Sequence, residues 1–262
     1  MNLLAAALQS ECLKVLRSKV LLFTFLGFSL VPLAGGYFMW ILKDPEAARQ
    51  MGLIGAKAQI TAGTAEWSSL LTMLAQVAAA GGMVVDAIMA GWLFGREFSD
   101  RTMKDLLALP APRSTFVAAK FIVLAAWSYA LSAYMYLLGL AAGHLVVIPG
   151  WSAGLAWEGA LTVAECTGLA LAITTPVAFF ACYGRGYLPP IGWMFFTMVL
   201  AQIAAATGWG PYFPWSVPAL HSGAAGSEAA LLPAFSYWLV ALTSAGGLAA
   251  TFAWMQFADQ PI

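Results

Sequence analysis

Few residues in this chain could do covalent chemistry. Gly150-Trp151-Ser152-Ala153-Gly154 fits the GxSxG spacing of an esterase nucleophile. That chemistry needs the serine on a sharp strand-to-helix turn, with an acid and then a histidine downstream. Here the motif falls in a short connection between two apolar segments, and His221 precedes Asp259, the reverse of the required order. Ser152 is therefore read as a chance match. His144 and His221 are both expected at the outer membrane face, where a shared metal site is conceivable. No neighbouring Cys or further His supports one, and a hydrogen-bonded interfacial histidine is the expected role. Cys12, Cys166 and Cys182 lack metal-ligand spacing and read as free thiols. No GxxxxGK[ST] loop occurs, so the chain is expected to carry no ATPase site of its own.

Two carboxylates lie within apolar runs. Asp86 sits nine residues before Gly95, about 13 Å from the end of its span, and Glu165 lies at a similar depth from the opposite side. A charge at that depth costs at least about 2.5 kcal/mol, so each should face protein or a water-filled cavity. They are candidates for lining a transport pathway. A protonated carboxyl hydrogen-bonded between helices explains them equally well. Tyr129, Ser132 and Tyr136 share one helical face and could line the same cavity or simply pack inside the bundle.

The most charged run is Phe94–Arg113, FGREFSDRTMKDLLALPAPR. Arg96, Arg101, Lys104, Arg113 and Lys120 lie in or just beyond it. Helical spacing sets Arg96 against Asp100, Glu97 against Arg101, Asp100 against Lys104 and Arg101 against Asp105. Pro110 and Pro112 should end that helix. Charged loops between membrane helices commonly serve only to set topology. A laced helix held at the membrane surface also suits docking of a soluble partner.

These residues must be positioned by membrane helices. The chain is 61% hydrophobic and 9% charged, with a mean hydropathy of +0.81, whereas a soluble domain carries about 25% charged residues. The apolar runs define an all-α integral membrane protein, a single transmembrane domain over 1–262. Its six spans are expected at about 20–42, 68–94, 115–142, 157–181, 188–208 and 235–257. The run Val20–Leu42 is too long for a signal-peptide core and is expected to be retained, with a bend at Pro32. Residues 2–18 put Leu4, Leu8, Cys12 and Val15 on one face and Ser10, Lys14 and Arg17 on another, predicting an interfacial amphipathic helix. Gly91–Gly95 and Gly139–Gly143 have the spacing of close helix contacts. Basic residues concentrate in the N-terminal segment and the second and fourth loops, which places both termini in the cytoplasm of a cell (plasma or inner) membrane. Zero net charge and scattered basic residues argue against nucleic acid as a partner.

The run Arg96-Glu97-Phe98, then Thr102, Leu106-Leu107, Leu109-Pro110 and Arg113, is similar to the coupling-helix region of ABC-2-type permeases. Arg101 stands where that family often has Gly, and Pro112 where it often has Ser. Pro214–Pro218, PWSVP, resembles the short re-entrant element before the family's last span. The resemblance, nearest to bacitracin-type or other multidrug export permeases, implies two permease copies, a homodimer in the simplest case, working with two copies of a separate ABC ATPase. ATP and magnesium would be bound by that partner, and no cofactor by this chain. It implies that Arg96, Glu97, Phe98, Arg101, Thr102, Leu106 and Arg113 meet the ATPase, and that the cargo is an amphipathic drug, peptide antibiotic or lipid-like molecule. Ion export or cofactor delivery is the alternative within that class. An intramembrane enzyme or a scaffold is the alternative outside it.

Overall fold

A computed structural model describes residues 3–44, 64–103, 112–224 and 232–257. All regular structure among them is helical. Helix α1 (Leu3–Leu16) precedes α2 (Lys19–Leu42). Helix α3 (Trp67–Gln76) runs through a π turn, Val77–Gly81, into α4 (Gly82–Ser99). Helices α5 (Arg113–Val146), α6 (Ala153–Tyr183) and α7 (Leu188–Ala206) follow. Two 3-10 turns, Gly210–Tyr212 and Pro214–Ser216, lead into the short α8 (Val217–His221), and α9 (Ala234–Phe257) closes the described chain. Among the described residues six helices, counting α3–α4 as one, are long and apolar enough to cross a membrane, as the hydropathy pattern predicts.

The centre is α6, with α4 along one side and α9 along another, while α2 and α1 lie against α5. Close approach of α9 is built on a backbone defect. Pro176 has no N–H to give to the carbonyl of Ala172, one turn earlier. The Thr175 hydroxyl reaches that carbonyl instead, at 2.9 Å, and also the Ser244 carbonyl of α9 at 3.1 Å. Opposite stands Gly247, where a Cβ would lie 2.5 Å from the Pro176 nitrogen. The two predicted glycine pairs are also close contacts: a Cβ at Gly139 would meet Leu74, one at Gly143 would meet Trp67, and Gly91 and Gly95 face Pro190 and Gly186. Pro32 lies buried inside the continuous α2.

Three spans end alike. The N–H groups of Arg101 and Thr102 return to Phe98 and Glu97, those of Val147 and Ile148 to His144 and Gly143, and those of Arg185 and Gly186 to Cys182 and Ala181. In each case the first residue is left-handed, at φ 58°, 56° and 51° for Arg101, Val147 and Arg185. This satisfies the last carbonyls of the helix but favours glycine at that position. A gap in the family resemblance is thereby explained, since Arg101 occupies a conformation that Gly adopts without strain.

Helix α1 forms where expected, with Val15 buried and Leu4 and Leu8 half-buried as predicted, but its buried face is rotated to take in Ala7 and Glu11. Ala7, Glu11 and Val15 are buried, whereas Cys12, expected on the apolar face, is exposed. The segment between α7 and α8 is held by serines: Ser216 donates to the Gly210 carbonyl (2.6 Å) and Ser236 of α9 to that of Pro211 (2.7 Å).

Two substitutions test these contacts by thermal unfolding in detergent. Val147→Gly should raise stability by about 1 kcal/mol, by removing a left-handed β-branched residue. Gly247→Val should lower it by about 2 kcal/mol by wedging α9 from α6. A Gly247→Val protein as stable as wild type would show that α9 is not seated there.

Candidate functional site

The predicted charged run divides at Ser99. Arg96, Glu97 and Phe98 are not part of a separate surface helix but form the last turns of α4. Residues 104–111, including Leu106 and the second half of the expected coupling helix, lie outside the described residues. Of the four predicted pairs, Arg96–Asp100 is present at 3.0 Å, and the Arg96 guanidinium lies over Trp92. Glu97–Arg101 is replaced by another arrangement, because Arg101 lies past the helix end and Glu97 turns inward. Phe98 packs against the core, while Arg101 and Thr102 are exposed. Arg113 begins α5 and donates to the Met255 carbonyl of α9 at 3.2 Å.

Glu97 is buried with three other charges. Its Oε1 accepts from Lys120 Nζ of α5 at 2.7 Å and from Lys14 Nζ of α1 at 3.0 Å. Glu11 of α1 accepts from the same two amines, Lys14 at 2.6 Å and Lys120 at 3.3 Å. Lys120 also donates to the Leu93 carbonyl. Glu11, Glu97 and Lys120 are all below 5% exposed, where an uncompensated charge would be prohibitive. Two carboxylates and two amines sum to zero. Burial pulls the Lys14 pKa down, but Glu97 and Glu11 more than offset it and hold it above the ordinary 10.5. Its contribution to stability is thus complete at neutral pH and is lost only as pH rises through that raised value.

This cluster ties α1, the end of α4 and the start of α5 together. Lys120, expected among the loop cations, is buried in α5, and Glu11 is not marked by any motif. The available signal was that each interrupts an apolar face.

The matched family covers this whole region. The sequence matches the family described as ABC-2 family transporter protein across residues 7–201. The chain belongs to that family. A bacitracin transport permease protein from Bacillus licheniformis is 28% identical over 182 residues, covering 68% of this chain and 85% of that protein. No solved structure matches. The chain is thus a multi-pass membrane permease of the ABC-2 type.

The pathway candidates of this permease fall into two environments. Asp86 is buried in α4 with the Ser128 hydroxyl at its carboxylate, and its Oδ2 has no partner among the described residues. Ser132 and Tyr136 also point inward, and the Tyr136 hydroxyl donates to the Ala156 carbonyl. Tyr129, expected on their face, is 44% exposed. Glu165 is exposed on α6, not enclosed, and is met by His221 Nε2 at 3.0 Å. His221 Nδ1 in turn lies 2.8 Å from the Tyr237 hydroxyl of α9. A neutral His221 satisfies both by donating from Nε2 to Glu165 and accepting from Tyr237 at Nδ1. No sequence signal joined Glu165 to His221. His144 packs between Trp67 and Trp151, far from this chemistry in kind. Ser152, the GxSxG serine, caps α6 by accepting from Leu155 N at 3.1 Å.

The charge cluster predicts unequal costs. Lys120→Met leaves Glu11 and Glu97 buried with one amine and should cost about 3 kcal/mol of stability. Lys14, 31% exposed at its side chain, is screened by solvent, and Lys14→Met should cost about 1 kcal/mol or less. Equal losses in denaturant unfolding would refute an enclosed cluster centred on Lys120.

Proposed function

We propose that the chain is the membrane subunit of an ATP-driven exporter that moves an amphipathic drug, peptide antibiotic or lipid-like cargo, energised by a separate ATPase. The carrying observation is the buried charge cluster around Glu97, at the start of the segment that resembles a coupling helix. Two permease copies would work with two ATPase copies, with ATP and magnesium held by the partner and both termini cytoplasmic. Exposed Arg101 and Thr102, with Leu106 beyond them, would meet the ATPase. Glu97, being buried, would act by transmission: a pull on the turn at Asp100–Thr102 is passed through its amines to α1 and α5. Such rigid-body coupling is a standard route for switching a bundle between inward- and outward-open states.

The cargo reading is supported by the similarity to a bacitracin transport permease and by a polar set containing two carboxylates and no intramembrane cation beside them. Asp86 and Glu165, with Tyr129, Ser132 and Tyr136, would then line or shape the route and favour cationic, amphipathic molecules. The role of Ser152 as a helix cap speaks against the intramembrane-enzyme alternative.

The tagged permease should co-purify from its native membrane with a nucleotide-hydrolysing subunit. Arg101→Ala/Thr102→Trp, altering only exposed side chains, should leave the permease monodisperse and abolish that co-purification. Retention of a fully coupled ATPase by this variant would overturn the docking assignment. In cells carrying the intact complex, Asp86→Asn and Glu165→Gln should each reduce bacitracin resistance several-fold with assembly preserved; unchanged resistance in both removes them from the pathway.

A further inference from the structure

A second charged feature lies outside the buried cluster. Between α1, the start of α2, the end of α4 and the start of α7 is an open groove of about 570 Å³. Four cations line it, Lys14, Arg17, Lys19 and Arg96, against one carboxylate, Asp100, which is already paired with Arg96. Lys14 is also committed, to Glu11 and Glu97. None of the ion pairs among the described residues uses Arg17 or Lys19. The groove therefore presents uncompensated positive charge.

The backbone adds to it. Ser18 stands at the N-cap position of α2, yet its hydroxyl donates backward to the Val15 carbonyl at 2.8 Å and makes no cap bond. The first N–H groups of a 24-residue helix consequently open beside Lys19 and Val20, both of which line the groove. Unfilled N–H groups and the positive end of the helix dipole favour an anion with several acceptor oxygens.

We infer that this groove binds the phosphate-bearing headgroup of an anionic phospholipid. The lipid, as opposed to a free phosphate, is favoured by what continues from the groove. Lys19, Phe23, Leu26 and Leu30 fall at i, i+4, i+7 and i+11 on α2, and the last three are 66%, 55% and 68% exposed. That stripe runs about 16 Å along the helix, roughly half of a 30 Å hydrocarbon core and thus the reach of one leaflet's acyl chain. Trp92 and Tyr187 flank the headgroup end, the level at which amphipathic rings favour the interface. A bound headgroup bridges α1 to α2 and α4, steadying the helix that supplies Glu11 and Lys14.

The test uses the purified full-length permease in nanodiscs of equimolar phosphatidylcholine and phosphatidylglycerol, with retained lipid read by native mass spectrometry. It needs neither ATP nor cargo, so its failure leaves the exporter reading untouched. Wild type should retain phosphatidylglycerol over phosphatidylcholine by about tenfold. Arg17→Gln/Lys19→Gln should bring the ratio near parity, whereas Arg185→Gln, a basic residue outside the groove, should not change it. Lys19→Gln alone, with an intermediate ratio, serves should the double variant not fold. Parity in wild type, or an unchanged preference in the groove variants, overturns the site. Full displacement of phosphatidylglycerol by inorganic phosphate overturns the lipid assignment.

Discussion

Two carboxylates and one amine enclosed at one end of the bundle, with a second amine at their edge, must cancel each other, and much of this structure depends on that requirement. Glu97 cannot be buried at the end of α4 without the amines of Lys14 and Lys120. Lys120 cannot lie inside α5 without carboxylates and a backbone carbonyl around it. Helix α1 docks on α5, with Glu11 as one of its buried residues. Removing Lys120 leaves two buried carboxylates with a single, partly exposed amine, whereas Lys14 is reached by solvent and is the less costly partner to lose. Mechanically, the cluster makes the end of span two continuous with two other helices.

A second constraint, backbone satisfaction in a medium without water, shapes the rest. Pro176 withdraws a donor and Thr175 replaces it, in the same place where Gly247 lets α9 come close. The proline-rich segment before α8 is served by Ser216 and by Ser236 of α9 for the same purpose. Three helix ends accept a strained left-handed residue in exchange for satisfied terminal carbonyls. Each defect is compensated by a short polar side chain or by a close backbone contact, as expected where lipid offers no hydrogen bonds.

Functionally, the polar groups separate into layers. The charge cluster lies at the end of α4 and the start of α5. Asp86 with Ser128 lies within the bundle, and Glu165, His221 and Tyr237 link α6, α8 and α9. The basic groove at the start of α2 adjoins the charge cluster and shares Lys14 with it. This stacking suits a permease that must register an event at one face and alter a passage between helices.

Sequence alone determined the membrane class, the six spans, the family and the free cysteines. Hydropathy, span length and a local motif are properties of the chain taken one segment at a time, and burial in lipid enforces them strongly. The sequence also located the charged run but misread its geometry, because a helix can end on an αL residue that is not glycine. Only the tertiary structure decided which charges meet. Glu97 and Lys14 are 83 residues apart, Lys120 and Glu11 109, and Glu165 and His221 56. Such pairs carry no periodic signal, since their partners are set by how helices pack and not by spacing along any one of them.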